Sequence, residues 1–105
     1  MSVTEPDRAP DGGGPPVLRL FVAGNAPNSQ RARANLERIN DRYFDHRCQI
    51  EIVDVFEQPD LALQQGIVVT PTLLRLAPGP LLRIIGDLSD SERVLATLGH
   101  KQGEP

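Results

Sequence analysis

Apolar and polar positions in the first half of the chain predict a strand, a helix and a second strand. Val17 to Val22 is almost continuously apolar, which is typical of a central strand that is covered on both faces. Apolar residues then recur at helical spacing and give one buried face: Ala32, Leu36, Ile39 and Tyr43. A side-chain oxygen of Asn28 or Ser29 is expected to cap this helix. Ile50 to Val55 form the second strand, and the strand–helix–strand order predicts parallel strands with a right-handed connection.

The middle of the chain predicts a short helix followed by a hairpin. Pro59 stands near the first helical position, where a missing N–H costs little, and Gly66 is expected to end the helix. Thr72 to Leu76 and Leu81 to Ile85 are apolar runs separated by a Pro/Gly turn, which predicts an antiparallel pair. Pro71 cannot donate to a sheet ladder, so Thr70-Pro71 is a candidate cis peptide before the third strand.

The last part of the chain predicts a helix and completes the fold class. Ser89 to Glu92 has the S-x-x-E form of a capping box, so we expect a helix from about Asp90 to Leu98, with Gly99 at its end. The resulting order, β-α-β-α-β-β-α, is the thioredoxin-like arrangement: one α/β domain with a mixed four-stranded sheet and helices on both faces. Residues 1–16 are expected to form a flexible tail and residues 100–105 a frayed end, which leaves residues 17–99 as the domain.

The chain length and the net charge exclude several classes of protein. The chain has 105 residues, enough for one domain with a modest core. Its formal charge of -3 argues against a general nucleic-acid binder, which would normally be basic. No apolar run approaches the ~20 residues that span a bilayer, and the N-terminus shows no signal-peptide pattern, so we expect a cytoplasmic protein without a membrane partner.

The residue types that carry catalysis are sparse and scattered. Cys48 is the only cysteine, and in thioredoxin-like oxidoreductases the nucleophilic cysteine belongs at the start of the first helix, where this chain has Ser29. His46 and His100 do not form a metal-ligand spacing with that distant thiol. Gly24 does not begin a glycine-rich nucleotide-binding motif. We therefore expect no enzyme activity, no metal and no cofactor.

Four sequence blocks resemble the KaiB family of circadian-clock proteins. They are Leu20 to Asn25 with Pro27-Asn28-Ser29, Ile52 to Val55, Thr70 to Leu73, and Arg83 to Asp90. The resemblance covers roughly residues 17 to 98. It implies a non-enzymatic regulator that docks on the N-terminal ring of the hexameric KaiC ATPase/kinase and modulates its phosphorylation or signalling output. It also implies competition with the related sensor domain of the histidine kinase SasA, and, in cyanobacteria, capture of KaiA.

The resemblance places partner contacts on the second helix and on a sheet edge. KaiC contacts would centre on Glu57 to Gly66, with these candidate residues: Glu57, Asp60, Gln64, Gln65 and Gly66. The edge of the second strand, which carries Glu51, would be available to another protein. Glu51 and Gly66 stand where cyanobacterial members carry lysine. These two changes weaken the expectation of KaiA capture and suggest a differently charged KaiC surface.

Two alternatives and one question of fold remain open at this point. The chain could be a thioredoxin-fold thiol protein that uses Cys48, which an insulin-reduction assay tests, or a stand-alone sensor domain of the SasA type. Cyanobacterial KaiB proteins also refold their second half into an inactive tetramer. Here the segment that would become a strand, Ala96 to Gln102, is short and mostly polar, so we predict that the chain stays thioredoxin-like.

Overall fold

The computed structural model describes residues 14–99. Most of the tail predicted for residues 1–16 and all of the end predicted for residues 100–105 lie outside this range. The described residues form the predicted β-α-β-α-β-β-α order. The elements are β1 (Val17–Val22), α1 (Pro27–Phe44), β2 (Gln49–Asp54), α2 (Pro59–Gln64), β3 (Thr72–Ala77), β4 (Leu82–Ile85) and α3 (Ser91–Leu98).

One mixed sheet of four strands, in the order β2-β1-β3-β4, organises the fold. β1 runs parallel to β2, with Arg19 beside Glu51 and Phe21 beside Val53. β3 pairs antiparallel with both β1 and β4. The predicted βαβ unit and hairpin are therefore confirmed, although β4 starts one residue later than expected, at Leu82. β1 is a central strand, whereas β2 and β4 are the edges.

Helices cover both faces of this sheet, so the predicted layers are confirmed. α1 and α3 share one apolar cluster with Leu18, Leu20 and Val22 of β1. α2 covers the opposite face, where Ala62 packs with a smaller cluster: Phe21, Val53 and Leu74. Each fully buried large apolar side chain contributes about 1.5–3 kcal/mol. On α1 the structure buries Phe44, whereas Tyr43, which the spacing placed on the buried face, is only partly buried.

The predicted cap of α1 is wrong. The helix begins at Pro27, and Ala26 occupies the N-cap position without a side-chain hydrogen bond. Proline has a backbone angle already suited to the first helical position, so the helix starts before Asn28 can serve as its cap. Ser29 lies inside the first turn, is buried, and its Oγ accepts a hydrogen bond from the backbone N–H of Ala23 at 3.0 Å. Its hydroxyl therefore holds the β1–α1 turn.

The N-cap of α3 also lies one residue later than the S-x-x-E pattern predicts, and no capping box forms. Asp90 is the N-cap, and its carboxylate accepts a hydrogen bond from the backbone N–H of Arg93 at 3.2 Å. Ser89 instead donates its own N–H to Oδ1 of Asp87 at 3.1 Å. An aspartate caps as well as a serine, and its charge favours the helix N-terminus. Gly99 ends α3 in the left-handed conformation, as predicted.

Candidate docking surface

Large apolar side chains are exposed beside α2, at the end of the sheet where β1 and β2 finish. Val68 is 88% exposed, Leu63 76%, Phe56 73% and Val69 45%. Three of them, Phe56, Val68 and Val69, line one groove of about 270 Å³ together with Ala62 of α2. Apolar side chains that cluster on a surface mark sites of interaction with other proteins.

The position of Phe56 follows from a turn that Asp54 organises. Oδ1 of Asp54 accepts hydrogen bonds from the backbone N–H of Phe56 at 2.9 Å and from that of Gly24 at 3.2 Å. The phenyl ring comes within 3.6 Å of the place where a Cβ on Gly24 would lie, and Gly24 has a φ of +52°. The left-handed backbone favours glycine at this position, whereas the ring would stand at an ordinary contact distance from a Cβ.

Acidic and amide side chains are exposed along the same segment of the chain as Phe56 and Leu63. Glu57 and Asp60 are exposed at the start of α2, and Gln64 is exposed at its end. The helix begins at Pro59, as predicted. We define the docking surface as four apolar residues with the two acidic ones: Phe56, Leu63, Val68, Val69, Glu57 and Asp60. The described residues of this surface carry negative charge only, which favours a partner with basic groups around an apolar contact.

The other predicted partner residues, Glu51, Gln65 and Gly66, make contacts within the domain. Arg19 pairs through Nε with Oε1 of Glu51 at 2.8 Å, and its Nη1 donates to Oε1 of Gln65 at 3.3 Å. Arg83 of β4 donates to the backbone carbonyls of Gln65 at 3.1 Å and Gly66 at 3.2 Å. Glu51 and Gln65 are thus joined through Arg19, and the end of α2 is held by two arginines.

The corner that holds the thiol in redox-active thioredoxin folds is built differently here. Ser29 is turned inward toward the backbone of Ala23. The peptide bond between Thr70 and Pro71 is cis, as predicted, and that between Ala77 and Pro78 is also cis, which the sequence did not predict. Cys48 is partly buried before β2, and burial raises the pKa of its thiol to about 11, partly offset by the charge of Arg47.

Residues 14–99 contain neither a cluster of metal-ligand side chains nor a helix that could span a membrane. No three or more histidine, cysteine, aspartate or glutamate side chains in this part of the chain come together as metal ligands would. None of the described helices combines the length and the apolar character needed to cross a membrane.

Sequence reasoning missed the apolar half of the docking surface. The candidates taken from the second helix were acidic, amide or glycine residues, whereas Phe56 and Leu63 are the larger exposed side chains there. One signal was present in the sequence. Ile67, Val68 and Val69 form an apolar run that no predicted helix or strand contained. An apolar run without an element to bury it is a candidate for exposure to a partner.

Sequence comparisons identify the relatives of this chain. The family model for the KaiB domain matches residues 19–100. The circadian clock protein KaiB3 of Synechocystis is 49% identical over 82 residues, which cover 78% of this chain and 80% of that protein. The circadian clock oscillator protein KaiB of Prochlorococcus marinus subsp. pastoris is 48% identical over 82 residues, which cover 78% of this chain and 77% of the relative.

Comparisons with solved structures give the same fold. The N-terminal domain of Synechococcus elongatus SasA superposes with a TM-score of 0.69 and 26% identity over 100% of both chains. Mitochondrial thioredoxin 3 of Saccharomyces cerevisiae gives a TM-score of 0.65 and 20% identity, covering 80% of this chain and 77% of the other. The fold is therefore thioredoxin-like.

Proposed function

Because this chain belongs to the KaiB family of circadian-clock proteins, we propose that it is a non-enzymatic regulator that binds a hexameric KaiC-type ATPase/kinase. Binding modulates the phosphorylation or the signalling output of that partner. The observation that carries the proposal is the docking surface. Four large apolar side chains are open to solvent on a small domain, near two exposed acidic residues, Glu57 just before α2 and Asp60 in its first turn. Covering exposed apolar side chains removes their surface from water, which favours association with a partner.

The non-enzymatic part of the proposal is supported by the chemistry of the first-helix corner. The Ser29 hydroxyl accepts a hydrogen bond from the backbone N–H of Ala23, and among residues 14–99 no basic side chain is hydrogen-bonded to it that could activate it as a nucleophile. The thiol of Cys48 has a raised pKa and precedes a strand, so a thiol-based activity has little support. The Cys48 side chain therefore carries little thiolate, the nucleophilic form, at neutral pH, which argues against the alternative hypothesis of a thiol protein.

The SasA likeness supports one further element of the proposal. A domain of the same fold at the N-terminus of a kinase is expected to compete with this chain for the same partner surface. A stand-alone sensor domain of the SasA type remains the second candidate, although the identity to KaiB proteins is higher, 49% against 26%. Capture of KaiA is not proposed, since Glu51 of the β2 edge is engaged by Arg19.

Charge reversal on α2 tests the proposal. The double variant Glu57→Lys/Asp60→Lys should weaken binding to a hexameric KaiC-type ATPase by roughly tenfold or more, because it places positive charge opposite a basic partner. The matched control is Glu37→Lys/Asp41→Lys on α1, on the other face of the sheet, and it should bind as the wild type does. Calorimetry in the presence of ATP gives the affinities, and far-UV circular dichroism checks the fold. Equal affinity of both variants would contradict the assignment of this surface.

A further inference from the structure

Arg19 is a charged residue on the central strand, on a sheet face that also carries Glu51 and Arg83 at its two edge strands. It lies on the central strand β1, and its neighbour on the same face, Phe21, belongs to the cluster that α2 covers. The Arg19 side chain is 22% exposed. Removing a guanidinium from water is costly unless its hydrogen bonds are replaced. The hydrogen-bond partners of Arg19 within the domain therefore matter for the position of this side chain.

The contacts of Arg19 join two elements of the fold at once. Its Nε pairs with Glu51 on the edge strand β2, and its Nη1 donates to the side chain of Gln65 at the C-cap of α2. The planar guanidinium presents several donors in a fixed arrangement, which lets one side chain hold two acceptors. Glu51 keeps the guanidinium oriented for Gln65, because β1 and β2 place the two charged residues side by side.

The helix that receives this contact is short and is anchored on the sheet mainly by Ala62 and Leu61. α2 has six residues, buries only Ala62, and has no side-chain hydrogen bond at its N-cap. A helix of this length is not stable by itself in water, so its position depends on tertiary contacts. Its C-terminal end is held from two sides, by Arg19 through the Gln65 side chain and by Arg83 through the backbone carbonyls.

We propose that Arg19 is a positioning residue that, supported by Glu51, fixes the C-terminal end of α2 and so sets the orientation of the docking surface. The expected effect on partner affinity rests on the proposed function, whereas the effect on α2 is expected in the free protein as well. Glu51, which the sequence suggested as a partner contact, is then an internal support. Its carboxylate pairs with Arg19 within the domain.

Hydrogen exchange on the free protein and partner affinity together test this role. Arg19→Met keeps an apolar stem and removes the donors. We expect the amides of Gln65, Gly66 and Ile67 to exchange about 3- to 10-fold faster, while those of β1 and β3 keep their rates. Affinity for the KaiC-type ATPase should fall about 3- to 10-fold as well. Arg93→Met on α3 is the matched control and should change neither quantity.

A charge swap separates positioning from a general loss of stability. Arg19→Glu and Glu51→Arg should each speed exchange at the end of α2, and the double variant should recover most of the wild-type rate, because the ion pair is restored in reverse and the carboxylate at position 19 accepts from the NH2 group of the Gln65 amide once that amide flips. Unchanged exchange in Arg19→Met would overturn the inference whatever the binding result. Faster exchange with wild-type affinity would also overturn it, since the docking surface would not depend on α2. If the wild type itself fails to bind, the proposed function falls, and the exchange data still decide whether Arg19 fixes α2.

Discussion

Replacing Phe56 by alanine should separate partner binding from folding. Phe56 is 73% exposed, and a phenylalanine buries about 150–250 Å² in a contact, so roughly 150 Å² is open to a partner. At ~25 cal/mol per Å², complete covering of this area is worth about 3–4 kcal/mol, and half of it about 2 kcal/mol. We therefore predict that Phe56→Ala weakens binding by about 2–3 kcal/mol, which is about 30- to 150-fold. The part of the ring that is already buried, about 50 Å², limits the loss of folding stability to about 1 kcal/mol.

Two measurements and one control check this prediction. Calorimetric titration of a hexameric KaiC-type ATPase with ATP gives the change in affinity, and urea unfolding gives the change in stability. Leu81→Ala removes another exposed apolar side chain, which is 50% exposed and lies next to the β3–β4 turn. This control should bind like the wild type. Wild-type affinity of Phe56→Ala, or an equal loss in both variants, would refute the reasoning from exposed area.

Cys48, Asp87 and α3 each give a prediction that needs no partner. Because burial raises the pKa of the Cys48 thiol to about 11, alkylation at pH 8 should be roughly 100-fold slower than for a free cysteine; a rate near that of free cysteine would contradict this. Hydrogen bonds from the side chain and backbone of Ser89 lower the pKa of Asp87, so their stabilisation is present at neutral pH and is lost as the pH falls through the folded-state pKa. Ser89→Ala should raise that pKa in an NMR titration, and an unchanged pKa would argue against this cause. Helical chemical shifts are expected from Val94 to Leu98, and strand shifts there would contradict the prediction that the chain does not refold.

The strands and helices could be predicted because each has a local pattern in the sequence. The apolar run of β1 and the helical spacing of α1 depend on neighbouring residues alone. The caps could not be placed by the same means. Ser89 and Asp90 are both good caps, and only the packing of α3 against the sheet decides which of them lies at the helix start. Pro27 likewise began α1 earlier than the polar residues suggested.

The docking surface could be predicted only in part because its geometry depends on distant pairs. Asp54 orients Phe56 by also binding Gly24, which lies 30 residues earlier in the chain. The link from Glu51 to Gln65 needs the register of β1 and β2, which places Arg19 beside Glu51. Parallel pairing was predictable from the element order, whereas this register was not. The sequence resemblance therefore located α2 as the candidate site but did not separate its exposed contacts from its internal supports.

The most direct test of the account is whether this chain forms a complex with a hexameric KaiC-type ATPase. Sedimentation velocity of the purified proteins mixed with ATP at micromolar concentrations reports the complex without labels or mutations. The account predicts that the chain co-sediments with the hexamer and that an excess of a SasA N-terminal domain displaces it. Two independent boundaries at every mixing ratio, with no co-sedimenting species, would contradict the proposed function.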